Sequence, residues 1–220
     1  YSFSKDNNSS VANTVFGGLI CDLRDLNACF GPSDFDIRHL FNANAVVELP
    51  FGRGKWLGAG AAGWVNEIIG GWQVSGIVTA RSGLPFSTTT GSFPVGFVFD
   101  SPAVQTGPAP IGAVNTTGPN VTFFSGSASD LGFVNPQPGT IGQRNTLRGP
   151  SFWNTDLGLA KNFALPWEGQ RIQLRADSFN AFNQNFFANP SANINSSTFG
   201  RITASASAPR EIQFALRWDF

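Results

Sequence analysis

Apolar and polar residues alternate strictly in several separate segments of the chain. The clearest is the C-terminal segment REIQFALRWDF, where every second residue from Ile212 to Phe220 is apolar. A period of two is typical of a β-strand with one apolar and one polar face. Similar alternation predicts strands at residues 36–48, 72–81, 153–165 and 170–178, after a short opening strand at residues 1–5. The chain is therefore expected to be an all-β protein with six strands.

Short and long connections alternate between these strands. Residues 166–169 form a tight turn, and residues 50–70 form a medium connection that is long enough for a short helix. The other three connections, at about 6–34, 84–150 and 183–208, are long and rich in Gly, Pro, Ser, Thr and Asn. A compact soluble domain rarely contains so much loop without a pattern.

Strands of about ten residues with alternating short and long connections are typical of an outer-membrane β-barrel. Only helices and closed barrels cross a bilayer, because every backbone polar group in lipid must be paired within the protein. The apolar strand faces would then contact lipid, and the polar faces would line a wet interior. The alternative is a soluble sandwich, whose apolar faces form a dry core. The loop lengths favour the barrel.

Six strands are too few to close a membrane barrel, since the smallest single-chain barrels have about eight. We therefore expect an antiparallel transmembrane β-barrel segment with long extracellular loops, either part of a larger barrel or a protomer that assembles with copies of itself. A fragment is the simpler interpretation, because the chain opens at Tyr1 without a signal-peptide core.

Charged side chains on the predicted polar faces would lie inside such a barrel. We expect them to form ion pairs across neighbouring strands, and the alternative is contact with a plug or a solute. They are Arg38, Glu48, Arg81, Arg171, Arg175, Asp177 and Arg217.

The composition excludes several other classes of protein. The 14 Lys and Arg residues balance 14 Asp and Glu residues, so the chain lacks the basic surface that a nucleic-acid partner requires. The sequence contains no nucleophile elbow, phosphate-binding loop or paired-histidine motif, and its one histidine, His39, lies in a predicted strand. We therefore expect neither an enzyme nor a metal or cofactor site.

The two cysteines, Cys21 and Cys29, lie eight positions apart in a polar stretch. They are candidates for a small disulfide ring in an oxidising compartment, and two free thiols are the alternative.

Aromatic residues fall in two sets. The tryptophans near predicted strand ends are expected at the membrane interface, with ordinary packing as the alternative. These are Trp56, Trp64, Trp72, Trp153, Trp167 and Trp218. The phenylalanines of the long loop at 84–150 are candidates either for contact with an apolar or carbohydrate ligand or for packing of the loop onto itself. These are Phe93, Phe97, Phe99, Phe123, Phe124 and Phe133.

Six segments, in order, resemble the C-terminal part of TonB-dependent receptors of the Oar-like group, which carry an N-terminal carboxypeptidase-regulatory-like domain. They are GPSDFDIRHLF (31–41), VVELPFGRGK (46–55), GGWQVSGIVTARSGLPF (70–86), RNTLRGPSFWNTDLGLAKNF (144–163), RIQLRADSFNAFNQNFF (171–187) and PREIQFALRWDF (209–220). The resemblance implies that residues 1–220 are the last six strands of a barrel of about 22 strands. The plug and N-terminal domains would lie outside this chain.

This resemblance implies a bacterial outer-membrane protein that takes up a scarce solute. A TonB-type energy-transducing protein would act through the plug domain, in the missing part of the parent. The resemblance also places the short turns in the periplasm and the long loops outside, where a disulfide between Cys21 and Cys29 would persist. The alternatives are a surface or adhesion protein anchored in the outer membrane and a soluble secreted β-sandwich binding domain.

The C-terminal alternation looks like the signal that the barrel-assembly machinery reads in outer-membrane proteins. The residues concerned are Ile212, Phe214, Leu216, Trp218 and Phe220. An exposed strand with one apolar face can pair edge-on with a strand of that machinery. Alternatively, these side chains are only the lipid-facing residues of the closing strand. Outer-membrane lipid and the assembly machinery are thus the expected direct partners.

Overall fold

The computed structural model describes residues 1–8, 10–13, 17–20, 27, 30–91, 101–166 and 169–220. These residues fall into two compact units. The first, which we call the loop unit, comprises Tyr1–Leu40, Arg81–Phe152 and Phe186–Ala206. The second, which we call the strand unit, comprises Phe41–Ala80, Trp153–Asn185 and Ser207–Phe220.

Six strands form one sheet, in which each strand pairs with the next strand along the chain. The six predicted strands are confirmed, and their ends differ from the prediction by at most three residues. The strands are β1 (Ser2–Phe3), β2 (His39–Glu48), β3 (Trp72–Arg81), β4 (Phe152–Ala164), β5 (Arg171–Phe179) and β6 (Glu211–Asp219).

Antiparallel pairing joins β1 to β2, β4 to β5 and β5 to β6. Between β2 and β3 the direction follows from hydrogen bonds at opposite ends, where Leu49 N donates to Trp72 O and Ser82 N donates to His39 O, each at 2.9 Å. Within the described residues the sheet is open, with β1 and β6 at its edges. Because β1 contains only two residues, it covers only the beginning of β2.

The cross-strand register confirms the assignment of faces in β4, β5 and β6. Leu159 lies opposite Ala176, which lies opposite Phe214, and Leu174 lies opposite Leu216. Directly opposed residues of antiparallel strands project to the same face. These side chains therefore form one apolar face. The charged residues of β5 and β6 lie together on the other face.

Where β6 lies, the apolar face of the strand unit is exposed among the described residues. Phe214 is 82% exposed, Leu216 is 70% exposed, and Ile212 and Trp218 are also exposed. A contiguous row of large exposed apolar side chains marks a surface that meets lipid or another protein. The structure thus lacks, on this face, the dry core that a soluble sandwich requires.

The connection between β2 and β3 contains the helix α1 (Gly63–Ile69), which confirms the expected short helix. Gly70 caps its C-terminus, and Gly71 follows with a φ of 70°. A Cβ atom at Gly71 would collide with Asn162 O. Glycine is required here because the backbones of β3 and β4 approach closely at this point and the conformation is left-handed.

The long connections contain short paired strands that the sequence pattern did not predict. Segments of two to four residues are too short to show a period of two. All eight lie in the loop unit and form four two-stranded ribbons. The pairs are Asn7–Asn8 with Gly31–Pro32, Ser10–Asn13 with Gly17–Ile20, Pro85–Phe86 with Leu147–Arg148, and Val104–Gln105 with Phe133–Val134.

The loop unit has a hydrophobic core of its own. It consists of Phe86, Ala103, Phe123, Phe124, Phe133, Leu147 and Ile202. Because these residues come from two of the three long connections, the core joins segments that are far apart in sequence.

No helix in the described part of the chain is long and apolar enough to cross a membrane.

Candidate functional site

The predicted assembly signal is an exposed apolar row on the last strand of the sheet. Its first four residues project from one face of β6, and the ring of Trp218 packs edge-on against Phe220 at 5.9 Å between centroids. Within the described residues β6 pairs only with β5. Both its apolar face and its outer edge are therefore available to a partner, as edge-on pairing requires.

The opposite face of β5 and β6 carries the predicted interior charges. Arg171 donates from Nε to Asp219 across the two strands at 3.0 Å. Arg175 and Arg217 instead bond to carboxylates two positions along their own strands, at Asp177 and Asp219, each at 2.7 Å. The expectation of pairing across strands is thus confirmed for one pair and wrong for two, because residues i and i+2 of a strand share a face.

Two other charges of the predicted set have different contacts. Glu48 at the end of β2 bonds to Lys55 in the following turn at 2.9 Å. Arg81 stacks its guanidinium over the Phe152 ring at 5.0 Å from the centroid. For these residues too, the expected pairing across the sheet is wrong. Glu48 pairs with a lysine in the adjacent turn, and Arg81 stacks on a neighbouring aromatic ring, instead of pairing with a charge on the next strand.

Asp36 and Arg148 form the buried centre of an ion-pair network in the loop unit. The Asp36 side chain is fully buried and bonds to the Arg148 guanidinium. Asp6 N also donates to Asp36 Oδ1 at 3.1 Å. Burial raises the pKa of Asp36. The hydrogen bonds from Arg148 and Asp6, together with the charges of Arg148 and Arg38, lower this pKa by more than burial raises it. The resulting pKa lies below its ordinary value.

A second pair continues the same network. The buried guanidinium of Arg144 lies 3.1 Å from Asp34 Oδ1. Asn145 donates from Nδ2 to the same Asp34 oxygen at 2.7 Å and to Pro32 O at 2.8 Å. Asn145 holds a left-handed φ of 54°, a conformation that asparagine tolerates better than most residues. The network thus joins residues 32–36 to residues 144–148.

Sequence reasoning did not find this network. The two segments belong to the motifs GPSDFDIRHLF and RNTLRGPSFWNTDLGLAKNF, but nothing local in either motif indicates the other as its partner. The only available signal is that Arg144 and Arg148 are two of the few charged residues in the long loop at 84–150.

Three of the six candidate loop phenylalanines lie in the core of the loop unit. Phe123, Phe124 and Phe133 are buried, and the rings of Phe123 and Phe124 pack edge-on at 5.1 Å. For these three, packing of the loop is confirmed. Phe93, Phe97 and Phe99 lie outside the described residues.

The other predicted residues divide by position. Trp56, Trp64, Trp153 and Trp218 are exposed, whereas Trp72 is half-buried and donates from Nε1 to Ile68 O at 2.9 Å. Cys21, Cys29 and Trp167 lie outside the described residues, so the disulfide remains a prediction.

A strand meander with one exposed apolar face and one charged face defines a membrane-embedded β-protein. The chain matches the outer membrane beta barrel domain family over residues 1–213, and it belongs to that family. Its location is therefore the bacterial outer membrane. No curated protein and no solved structure matches the chain.

Proposed function

We propose that residues 1–220 form the C-terminal part of the barrel of a TonB-dependent receptor of the Oar-like group, which takes up a scarce solute across the outer membrane. The observation that carries this proposal is the open six-stranded sheet in a chain of a barrel family. A barrel in lipid must close, so further strands are required. The parent chain would supply them, together with the plug on which a TonB-type protein acts.

The Oar-like assignment is supported by the two motifs that the ion-pair network joins. Residues 32–36 and 144–148 belong to segments that resemble this group, and here they contact one another through buried charges. A shared contact explains why both motifs would occur together in one family of barrels.

The assembly role of β6 is part of the same proposal. Its exposed edge and apolar row provide what edge-on pairing with the barrel-assembly machinery needs. After assembly, the same row would contact lipid.

One observation favours a second candidate, a surface or adhesion protein anchored by the barrel. The long loops form a unit with its own core rather than separate loops around a solute pathway. Such a folded outer module suits contact with other cells or with matrix. The soluble sandwich does not fit membership of an outer-membrane family.

The intact mass of the native polypeptide in a detergent-extracted outer-membrane fraction tests the barrel part of the proposal. We expect a mass several times 23.5 kDa. A native mass of 23.5 kDa would contradict a larger parent chain and leave self-association as the route to closure.

Growth on limiting nutrients separates the two candidates. A strain without the parent gene is compared with a strain without its TonB-type protein and with complemented strains. Transport predicts that both deletions abolish growth on the same nutrient. Anchoring predicts normal growth and reduced attachment of cells in the first strain only.

A further inference from the structure

Lys161 is a cation on the apolar face of the sheet. It lies directly opposite Leu174, in the row that contains Leu159 and Phe163. A lysine that faces lipid is unfavourable unless polar groups satisfy it. The alternating pattern does not single out Lys161, because Leu159 and Phe163, two positions before and after it, continue the apolar row.

The end of α1 satisfies this lysine. The Lys161 ammonium donates to Ile68 O at 3.2 Å and to Gly70 O, and it lies 5.3 Å from the centroid of the Trp72 ring. Its side chain is only 4% exposed as a result. Carbonyl groups at a helix C-terminus carry partial negative charge, so they are suitable partners for a buried cation.

These contacts place α1 over the apolar face rather than over the charged face. In an outer-membrane barrel the apolar face is the outward one, and short turns lie on the periplasmic side. The helix therefore lies against the outside of the wall, at the periplasmic edge of the bilayer. Trp64 and Ile68, one helical turn apart, are 73% and 62% exposed.

A groove of about 530 Å³ runs between α1 and the sheet. Its wall is formed mainly by apolar side chains, and its charged lining residues are Lys161, Arg175 and the exposed Glu67. The apolar lining consists chiefly of Ile68, Trp72, Leu159, Phe163, Leu174 and Phe214. The groove is continuous with the lipid-facing surface of the strands, so lipid is the material next to it.

We propose that this groove binds one phospholipid of the periplasmic leaflet, with an acyl chain along the apolar wall and a zwitterionic, ammonium-bearing headgroup at Glu67. The Glu67 carboxylate accepts from the headgroup ammonium. Two carbonyls account for two of the three Lys161 N–H donors, and the third donates to a phosphate or ester oxygen. This proposal rests on the outer-membrane location alone and does not depend on transport.

The test uses the native protein, purified from outer membranes and reconstituted in nanodiscs that contain equal parts of phosphatidylethanolamine and phosphatidylglycerol. After mild detergent transfer, native mass spectrometry counts the retained lipids. We expect one retained phosphatidylethanolamine on the unmodified protein. Ala176→Phe fills the groove and should lower this occupancy by at least about tenfold, equivalent to 1.4 kcal/mol.

Ser178→Phe is the matched control. Ser178 lies on the same strand and the same face, opposite Ile212, but outside the groove. This variant should retain the lipid like the unmodified protein. Heat-modifiable migration in gels shows whether each variant is folded.

Glu67→Gln tests the headgroup without filling the groove, and it remains informative if Ala176→Phe does not fold. It should retain one lipid but lose the preference for phosphatidylethanolamine over phosphatidylglycerol. An unchanged preference would overturn the headgroup assignment.

Three results would overturn the phospholipid site itself. One is an unmodified protein that retains no lipid, and another is equal lipid retention by the two phenylalanine variants. The third is a dimer that Ala176→Phe dissociates, because a second copy would then occupy the groove.

Discussion

At the scale of single residues, the buried carboxylate of Asp36 connects parts of the loop unit that are distant in the chain. Its bonds to Asp6 N and Arg148 lower its pKa below the value of about 3.9 in an unfolded chain. The stabilisation is therefore fully present above about pH 4 and is lost as the pH falls through the lower folded pKa.

We expect Asp36→Asn to destabilise the loop unit by about 3 kcal/mol, because Arg148 would lose its buried charge partner. The measurement is hydrogen exchange of peptides that cover residues 30–40 and 144–150, corrected for the intrinsic effect of pH. The unmodified protein should exchange faster below about pH 4, and the variant should do so already at pH 7.

Asp6→Asn is the control for this variant. Its N–H still donates to Asp36, and its own side chain is exposed. Exchange should stay close to that of the unmodified protein. Equal exchange in both variants would show that the charge of Asp36 does not hold the two segments together.

At the scale of elements, the two faces of the sheet should tolerate charge very differently. Leu174 lies on the apolar face opposite Leu216, whereas Gln213 lies on the charged face opposite Asp177. Leu174→Arg should cost about 2–4 kcal/mol near mid-membrane. Gln213→Arg should be nearly silent, because it places a cation next to a carboxylate.

Urea unfolding in lipid vesicles, followed by heat-modifiable migration, measures both variants. Gln213 is a better control than its neighbour across the sheet, Gln173, because Gln173 lies opposite Arg217. Equal midpoints for Leu174→Arg and Gln213→Arg would contradict the assignment of the apolar face to lipid.

The C-terminal strand yields a separate prediction about assembly. Phe220→Ser should lower the amount of assembled barrel several-fold, because the terminal aromatic would be missing from the exposed row. Phe35→Ser makes the same chemical change at an exposed residue of the loop unit and should leave assembly unchanged. Pulse-labelled outer membranes measure the assembled fraction. The assembly role would be wrong if both variants assemble like the unmodified protein.

The sequence predicts the strands well because a β-sheet with two unlike faces imposes a period of two on its residues. The terminal strand, whose alternation runs from Ile212 to Phe220, shows this most clearly. Contacts of high sequence separation impose no local pattern. Only the structure therefore shows that Asp36 pairs with Arg148 and that Lys161 bonds to carbonyls at the end of α1.

At the scale of the whole molecule, the strands and the loops depend on different forces. The strand unit exposes apolar side chains of β6, so its stability depends on the lipid that surrounds this face. The loop unit packs Phe86, Phe123, Phe124 and Phe133 into a hydrophobic core, as a water-soluble domain does.

We therefore expect Phe133→Ala to unfold the loop unit without preventing membrane insertion. The loss of a buried ring typically costs about 3–5 kcal/mol, and Phe133 is 2% exposed. Protease added to intact cells should cleave within the loops of this variant, while the heat-modifiable migration of the barrel remains. Ile111→Ala, at a residue that is 98% exposed, is the control. Resistance of Phe133→Ala to the protease would contradict a cooperative loop core.

The loop core has a consequence for the order of events during biogenesis. Each strand of the sheet can pair with the strand synthesised just before it. The loop core instead needs Ile202, which leaves the ribosome long after Phe86 and Phe124. During export the phenylalanine rings of the loop core are therefore exposed, and exposed apolar surface of this kind promotes aggregation. Periplasmic holding chaperones should therefore be required until the last long connection has arrived.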